Sequence, residues 1–376
     1  MHSGLGPIRV APCTDCCPSG SGIRGFLGQS IEVEKRTRRQ FFGAAAGVVG
    51  AVALYEVLAG ESSPQRGSAT TTAPVLTLDE PTPAQSFITP NSDFFRIDVA
   101  YPGTPEVVAD SWRLKIHGLV DREVELTMDD LARFEQVTNT ITLACVSNNV
   151  GGSEIGTAEW GGVLLADVLR EAGVQPGAEQ LVSKSHDGWT CGTPVDAVMD
   201  GRAAMLVTSM NGEPLSAEHG YPVRMVIPGL FGYVSATKWL TDIELTTWDA
   251  FDAYWVQAGW TKEGPVITSS RVDVPRPGAR VAAGPINFAG FAWAPQAGVG
   301  SVQVRVDDSE WTDTELLRGP NGDSWAQWTT KFDVSAGEHV VTVRTVDVNG
   351  NAQIEAVQGT FPSGATGLHS VKFTAI

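Results

Sequence analysis

The chain has 376 residues, more than one compact core usually holds, which predicts two domains plus an appendage. Hydrophobic residues make up 42% and charged residues 18%, and this composition favours a globular protein over a disordered one. Lys and Arg number 26 against 43 Asp and Glu, for a formal net charge of -17. Because so acidic a surface repels phosphate backbones, we expect no nucleic-acid partner.

Residues 1–60 form an N-terminal prefix with the pattern of an export signal. The sequence TRRQFF at 37–42 leads into the apolar stretch GAAAGVVGAVAL. A membrane span takes about 20 apolar residues, so this stretch is better interpreted as the apolar region of a signal. It resembles a twin-arginine signal, with a small-residue cleavage site at Val57-Leu58-Ala59. We therefore expect an exported protein of the periplasm or the extracytoplasmic face of the envelope; a retained membrane anchor is the alternative.

Five cysteines fall into two groups. Cys13, Cys16 and Cys17 lie in the prefix, and they are either zinc ligands or unstructured thiols that are lost with the signal. Cys145 and Cys191 would remain in the mature chain. For an exported protein, a disulfide between these two is an open alternative to any role in chemistry.

Residues 61–87, rich in Ser, Thr and Pro, predict a flexible linker before a first folded domain at 88–260. In that domain Ser111–Val124 alternates apolar and polar residues as a half-buried strand does. Thr127 is then expected to cap a short helix that carries Leu131 and Phe134. Strands and helices are therefore mixed from the start.

A second helix is predicted from about Leu164 to Ala172, ended by Gly173. Further on, Asn211-Gly212 is a strong hairpin signal, and the apolar strand VRMVIPG follows it. The loop between the hairpin and this strand contains His219. Since strands anchor both of its ends, the loop could hold its side chains in place for binding.

After Trp260 the helical periods stop and short alternating strands take over, such as INFAGFAW and SVQVRVDD. Strands of this length and spacing predict an immunoglobulin-like β-sandwich over residues 261–376. The fold class expected for the whole chain is α+β, with a mixed α/β domain followed by this sandwich.

Cys145 lies in ITLACVSNNVGG, where an apolar strand gives way to a polar, glycine-containing loop. The sequence contains no G-x-S-x-G, Walker, H-E-x-x-H or C-x-x-C-H motif, and no G-x-G-x-x-G follows a predicted strand, so hydrolase, nucleotide and c-type haem chemistry lose support. A thiolate suits a transition metal, whereas His219, Arg224 and Lys238 suit an anion. These residue types together indicate a metal bound through an organic cofactor, or else a structural cysteine with scattered surface bases.

Five motifs in order narrow this choice: PNSDFFRID, TLACVSNNVGG, EWGGVLLADVL, MNGEPLSAEHGYPVRMVIPG and GYVSATKWL. They resemble the sulfite oxidase family of molybdopterin enzymes over nearly all of Ile88–Thr246, and the sandwich resembles that family's dimerisation domain. The resemblance implies a molybdenum-molybdopterin cofactor and a homodimer.

The resemblance also implies a role for each matching residue. Cys145 would ligate molybdenum, and Tyr254 would be an aromatic residue at the pocket mouth that donates a proton or hydrogen bond, unless it merely fills space between the domains. The residues that would hold the cofactor are Phe95, Arg96, His219, Arg224, Ser235, Thr237 and Lys238. Asp98 stands where the family often has a histidine, so its contact with the cofactor is left open.

The loop after Cys145 departs from the family. Sulfite-oxidising members have arginines there, whereas Ser147-Asn148-Asn149-Val150 carry no charge. We therefore expect oxygen-atom transfer at a sulfur or nitrogen centre of a less charged oxo donor or acceptor, with a separate cytochrome or membrane quinone protein exchanging electrons. One alternative is sulfite dehydrogenase proper, with Arg202 or Arg271 supplying the charge. The other is a metal-free cell-surface binding module.

Overall fold

The computed structural model describes residues 86–100 and 103–376, all of which belong to one compact unit. The predicted export signal, the three prefix cysteines and most of the predicted linker lie outside the described residues. Among the residues the structure does describe, no helix is both long and apolar enough to cross a membrane.

The described residues form nineteen β-strands and four α-helices, with a few short 3-10 turns. The helices are α1 (Met128–Leu131), α2 (Leu165–Ala172), α3 (Val195–Met199) and α4 (Tyr254–Gln257). The strands of the first half are β1 (Leu114–Gly118), β2 (Val124–Leu126), β3 (Gln136–Ala144), β4 (Ile155–Leu164), β5 (Gln180–Ser185), β6 (Thr190–Pro194), β7 (Met205–Met210), β8 (Glu213–Pro214), β9 (Arg224–Val226) and β10 (Leu240–Thr246). Those of the second half are β11 (Ser269–Val274), β12 (Arg280–Val281), β13 (Gly284–Trp293), β14 (Val299–Val306), β15 (Thr312–Asp313), β16 (Glu315–Arg318), β17 (Ala326–Val334), β18 (Gly337–Asp347) and β19 (His369–Ala375).

Two sheets make up the first half. One has the order β2-β1-β10-β5-β6, with β1 and β10 parallel and the other pairs antiparallel. The second has the order β3-β4-β7-β8, with β9 paired to β7. The strand that leads to Cys145 is therefore an edge strand of the second sheet, and the strand that carries Arg224 joins the same sheet by way of β7.

The two predicted helices form, with corrections at their ends. Thr127 caps α1 through a capping box with Asp130, but the helix ends at Leu131 and Phe134 lies beyond it. Helix α2 is confirmed: its apolar side chains are buried, and Gly173 ends it with φ 74°. The single strand predicted over Ser111–Val124 is wrong, because a turn separates β1 from β2.

The Asn211-Gly212 hairpin is confirmed. Both residues have positive φ, 53° and 79°, as the two-residue turn of a tight hairpin requires, and they join β7 to β8. The apolar strand predicted after the hairpin is regular only over Arg224–Val226. Short as it is, this strand is fully buried and fixes the loop that contains His219.

Every regular element of residues 261–376 is a strand, as predicted. They form a four-stranded sheet, β11-β13-β17-β16, and a five-stranded sheet, β12-β19-β18-β14-β15. Apolar side chains from both sheets, such as Phe288, Val304 and Val343, meet in a core of their own. This packing of two sheets, antiparallel except for the parallel pair β12 and β19, is the β-sandwich that the sequence predicts.

The sandwich also supplies aromatic side chains to the core of the first half. Phe291, Trp293 and Trp325 pack with Leu114 and the helices there, and the rings of Phe291 and Trp325 stack at 3.9 Å. Trp325 Nε1 donates to the carbonyl of Phe87, 2.9 Å away. The two halves are thus joined by shared hydrophobic packing.

Candidate active site

Cys145 follows directly after the edge strand β3, and its amide donates to the carbonyl of Glu154 across 2.9 Å. Residues 145–154, called the Cys145 loop below, thereby connect β3 to β4. Both Cys145 and Cys191 are free thiols, so the disulfide alternative does not hold. The cysteine is held by a short hairpin loop and remains partly exposed.

Two polar side chains of this loop engage the sulfur. Ser147 Oγ donates to Glu154 Oε2 at 2.6 Å and lies 2.9 Å from Cys145 Sγ, so the thiol donates to the hydroxyl oxygen. Burial, and next the negative charge of Glu154, raise the pKa of the Cys145 thiol to about 11. A metal at the sulfur would displace this proton, because only the thiolate is a ligand.

The loop is folded back on itself by its own polar groups. Gly152 N–H donates to the carbonyl of Asn149 at 2.8 Å, and Asn148 Oδ1 accepts from the amide of Glu154 at 2.9 Å. Gly151 has φ 79°, a conformation that favours glycine. The loop is therefore held in shape by its own backbone and by the side-chain amide of Asn148.

Arg224 on β9 is a buried cation. Its Nη1 donates to the carbonyl of His219 at 3.1 Å, and its guanidinium lies 5.0 Å from the ring centroid of Trp160. Within the part of the chain that the structure describes, its Nε has no hydrogen-bond partner. Burial lowers the pKa of Arg224 to about 10, so the group is still charged at neutral pH.

His219 is also buried, on a 3-10 turn over Ala217–His219. Its Nε2 donates to the carbonyl of Asn91 at 3.0 Å, and the ring meets Phe94 edge-on with centroids 6.0 Å apart. Burial is the main cause that lowers the pKa of His219, with the charge of Arg224 adding to it. The imidazole is therefore neutral at neutral pH, and its other nitrogen can accept a hydrogen bond.

Lys238 and Arg96 extend this positive region and are paired with carboxylates. Lys238 Nζ lies 2.6 Å from Asp98 Oδ2 and donates to the carbonyl of Glu218 at 3.1 Å. Arg96 forms an ion pair with the carboxylate of Glu218. Asp98, whose role the sequence left open, is thus the partner of a predicted cofactor-binding lysine.

The remaining predicted cofactor residues are placed by the backbone around them. Phe95 stacks on Phe94 at 5.2 Å. Ser235 Oγ donates to the carbonyls of Leu230 and Phe231, each at 3.0 Å, and Thr237 Oγ1 lies 2.6 Å from Ser183 Oγ. In this arrangement the two hydroxyls hold the 232–238 segment in shape.

Tyr254 is the first residue of α4. Its amide donates to Thr190 Oγ1 at 3.1 Å, and its ring meets Trp255 edge-on at 5.2 Å. These contacts attach it to β6 rather than to the Cys145 loop. Its role at the pocket mouth stays a prediction.

Trp160 connects β3 to the basic side chains. Its Nε1 donates to the carbonyl of Ile141 at 3.1 Å, and the guanidinium of Arg224 lies over the face of its ring. The 232–238 segment makes a second connection, because a Cβ on Gly232 would lie 3.8 Å from the carbonyl oxygen of Ala144, while Lys238 lies at the other end of the segment. The strand before Cys145 and the cluster of His219, Arg224 and Lys238 therefore belong to one framework.

Sequence reasoning gave Ser147, Glu154 and His369 no part in holding Cys145, and it named Arg271 only as a possible source of charge for sulfite. Ser147 and Glu154 follow Cys145 closely in the chain, and their polar character in a tight loop was a usable signal. Arg271 Nη1 donates to the carbonyl of Gly152 at 2.8 Å, and the ring of His369 packs against Gly151. These two come from the sandwich, and their positions in the sequence gave no sign of this contact.

Comparison with known proteins supports the resemblance. Residues 101–255 match the family described as "Oxidoreductase molybdopterin binding domain". Over 326 residues the chain is 31% identical to sulfite oxidase of Gallus gallus, covering 73% of this chain and 70% of that one. It is 29% identical to the mitochondrial sulfite oxidase of Homo sapiens, covering 74% of this chain and 60% of the human one.

The crystal structure of the sulfane dehydrogenase SoxCD from Paracoccus pantotrophus has a similar fold. It aligns with a TM-score of 0.66 and 24% identity, covering 77% of this chain and 81% of that one. At this identity the likeness concerns the fold, and it spans both the mixed α/β half and the sandwich.

Proposed function

We propose that this chain, which belongs to the sulfite oxidase family of molybdopterin-binding oxidoreductases, transfers an oxygen atom to or from a sulfur or nitrogen centre of a small substrate. The single observation that carries the proposal is a partly exposed free thiol, Cys145, in one framework with a buried cation, Arg224, whose Nε lacks a partner in the described chain. A thiolate offers a metal one soft bond, and a buried cation calls for an anion.

The residues fit the cofactor that the family implies. Leaving a buried guanidinium donor unpaired costs about 1–3 kcal/mol, so its retention suits a ligand that brings acceptor oxygens. Arg224, His219 and Lys238 offer donors and one neutral imidazole nitrogen to a phosphate and a polar ring system. Phe95, stacked on Phe94, offers a flat apolar surface beside them.

The bound cofactor would supply two-electron redox chemistry at molybdenum and an oxygen atom to exchange. The chain's part is to bind and orient it. Cys145 would give its thiolate to the metal after losing a proton, and the hydroxyl of Ser147, 2.9 Å from the sulfur, could then turn its own proton from Glu154 to the thiolate. Arg224 and Lys238 would neutralise the phosphate, and His219 would fix the ring system.

The Cys145 loop bears on the substrate class. A sulfite dianion is best bound by positive charge, yet Ser147 to Val150 are uncharged and the carboxylate of Glu154 lies one hydroxyl away from the sulfur. A negative group at that distance repels an anion in a site of low dielectric constant. This favours a neutral or weakly charged oxo donor or acceptor, such as an organic sulfoxide or N-oxide.

Sulfite dehydrogenase proper remains the second candidate, and one observation speaks for it. Arg271 reaches the Cys145 loop at Gly152, although it also forms an ion pair with Asp273 at 2.7 Å. The other arginine considered, Arg202, is paired with Asp200 and bonded to the carbonyl of Pro228. Both arginines therefore have structural partners, which makes either a weaker holder of sulfite.

The test is metal and pterin content together with substrate kinetics. Protein from a cofactor-competent host should contain about one molybdenum and one pterin per chain, and Cys145→Ser should lose activity. With an artificial electron carrier, kcat/KM should be higher for a sulfoxide or N-oxide than for sulfite. Wild-type protein without molybdenum would instead support the metal-free binding module, and a preference for sulfite would support the dehydrogenase.

We also propose a separate electron partner, a cytochrome or a membrane quinone protein, and a homodimer joined through the sandwich. The net charge of -17 favours a basic cytochrome, because opposite charges speed encounter. Its reduction or oxidation should slow as salt is raised, and a rate independent of salt would contradict this partner. Sedimentation that gives a monomer would exclude the dimer.

Export is likewise a proposal, supported by the sequence of residues 37–54 alone. Proteins with a twin-arginine signal cross the membrane after folding around their cofactor. Changing Arg38 and Arg39 together to lysine should leave loaded protein in the cytoplasm. Unchanged delivery of the double variant would exclude this route.

A further inference from the structure

We propose that the sandwich holds the metal-binding cysteine in place through two positioning residues, Arg271 and His369, called the clamp residues below. The inference rests on the proposed function in so far as Cys145 is a metal ligand. It goes beyond that function because it gives the C-terminal sandwich a part in the active site, in addition to any part in assembly.

Both clamp residues act on the turn at the far end of the Cys145 loop. Arg271 Nη1 donates to the carbonyl of Gly152 at 2.8 Å. The imidazole of His369 occupies the space that a Cβ on residue 151 would need, and Gly151 has φ 79° besides. The turn is therefore bonded on one side and packed on the other, so it can shift only if the sandwich shifts with it.

The clamp residues are themselves firmly anchored in the sandwich. Arg271 lies on β11, is 5% exposed, and forms two hydrogen bonds to the carboxylate of Asp273, at 2.7 and 3.3 Å. His369, the first residue of β19, accepts from the amide of Val272 at its Nδ1, 3.0 Å away. Because β11 and β19 belong to different sheets, both sheets of the sandwich support the turn.

The sandwich also covers the strand that leads into the loop. Thr142, near the end of the edge strand β3, donates its amide to the carbonyl of Asp323 at 2.9 Å and accepts from the amide of Trp325 at 2.8 Å. An edge strand otherwise leaves such groups to solvent. Cys145 is thus held from both sides, by β3 before it and by the clamped turn after it.

Positioning of this kind matters for a metal ligand. Residues that orient a ligand without touching the metal typically affect metal affinity or activity about 10–100-fold. Ser147 precedes the clamped turn and Glu154 follows it, so a loosened turn would move both the hydroxyl that bonds the sulfur and the carboxylate that holds this hydroxyl. The expected defect is a mobile Cys145 in a protein that is otherwise folded.

The experiment uses full-length protein from a host that cannot make the cofactor. The variant is Arg271→Met combined with Asp273→Leu, which avoids leaving a buried carboxylate unpaired. Alkylation of Cys145 by iodoacetamide, measured by peptide mass spectrometry, should be about tenfold faster than in wild type, with faster amide exchange over residues 146–154. His369→Gln, which keeps an acceptor for Val272, should act in the same direction.

Two controls make the result specific. Arg305→Met removes another arginine of the sandwich, one that lies 4.6 Å from the ring centroid of Trp311, and should leave Cys145 unchanged. Arg271→Lys keeps the positive charge beside Asp273 but loses the planar guanidinium that bonds both Asp273 and Gly152. Its alkylation rate at Cys145 should therefore lie between those of wild type and the double variant. Rates at Cys145 within twofold of wild type in the double variant and in His369→Gln would overturn the proposal, as would equal acceleration at the buried Cys191.

Loaded protein gives a second readout. At equal molybdenum content, the double variant should show an altered electron paramagnetic resonance spectrum of the metal, because the sulfur is held differently. An unchanged spectrum would count against the clamp. The alkylation test needs no metal, so failure of the clamp and failure of the proposed molybdenum function can be told apart.

Discussion

Arg224 is a buried cation whose burial costs free energy in the folded protein. It is 6% exposed, its Nη1 has a backbone partner, and its Nε has none within the described chain. Contact with the face of Trp160 offsets part of the cost of burying the charge. The rest of that cost lowers the stability of the folded protein unless an anion binds to Arg224.

We therefore predict opposite effects of Arg224→Met on stability and on cofactor binding. Without cofactor, the variant should be more stable than wild type by about 1 kcal/mol, since a buried unsatisfied donor is removed and the apolar stem is kept. With cofactor available, the pterin content of purified protein should fall at least tenfold. Urea unfolding and pterin fluorescence measure the two quantities.

Lys238→Met is the matched control for this prediction. Lys238 is paired with Asp98 at 2.6 Å, so its loss leaves a carboxylate without its cation, and stability should fall. The two variants remove the same charge from the same region and should change stability in opposite directions. A loss of stability in both would mean that Arg224 is already compensated and would weaken the argument for an anion.

Single residues also mark the limit of sequence reasoning about this site. Cys145, His219 and Arg224 could be singled out because a thiol after a strand and basic residues in an anchored loop are unusual patterns. Their partners Asn91 and Trp160 could not, since a carbonyl and an indole carry no chemical signal of their own. Arg271 lies more than a hundred residues from Cys145, and only the fold brings it to the Cys145 loop.

At the scale of elements, local chemistry predicted the fold well wherever it was unambiguous. The Asn211-Gly212 turn and the glycine end of α2 form as expected because both need positive φ. The pattern over Ser111–Val124 failed because alternation continues through a turn, so periodicity alone cannot locate the break between β1 and β2. Periodicity also could not predict which strands pair. The parallel pairing of β1 with β10 depends on contacts between residues far apart in the chain.

One junction between strands predicts a pH-dependent stability. His339 on β18 donates from Nδ1 to Asp307, beyond the end of β14, at 2.7 Å and from Nε2 to the carbonyl of Ser335 at 2.8 Å. Both bonds need the imidazolium, so the hydrogen bond to Asp307, and next that to Ser335, raise the pKa of His339. The folded protein therefore binds this proton more tightly than the unfolded chain.

The sign of the effect follows from the raised pKa. The stabilisation is complete below the unfolded histidine pKa of about 6.5 and disappears as pH rises through the higher folded value. We predict that His339→Gln lowers the melting temperature at pH 5.5 and changes it little at pH 9. Since the carboxylate of Asp307 is 48% exposed, the effect should be small and weaker in salt.

The exposed histidine His186 of the first half provides the control, because His186→Gln should show no such difference between the two pH values. A His339→Gln deficit that grew with pH instead of shrinking would mean that the neutral imidazole is the stabilising form. That outcome would reverse the assignment of both hydrogen bonds.

At the scale of the whole molecule, the sequence suggested two domains, and the strands do fall into two groups with no sheet shared between them. What the sequence could not indicate is that three aromatic residues of the sandwich, Phe291, Trp293 and Trp325, complete the core of the first half. Phe291 and Trp293 alternate along β13 with residues packed inside the sandwich, such as Ala292, and Trp325 lies just before β17. Only the relative placement of the halves decides which core they enter.

This shared core predicts cooperative unfolding. Three aromatic side chains bury about 600 Å² together, worth up to about 15 kcal/mol, which is as large as the whole stability of a typical domain. Even half of that amount could not be lost without unfolding the first half. We therefore predict a single calorimetric transition for the full chain and no stable fold for residues 86–260 made alone.

Trp325→Ala in the full chain separates this view from one of independent domains. Truncation of a buried tryptophan costs about 3–5 kcal/mol, and here the indole also loses its bond to Phe87. If the halves share one core, the variant should unfold at a lower temperature and still in one transition, with loss of Cys145 protection and sandwich structure together. Two resolved transitions, with only one of them shifted, would mean that the sandwich stabilises itself alone and that its aromatic residues merely cover the first half.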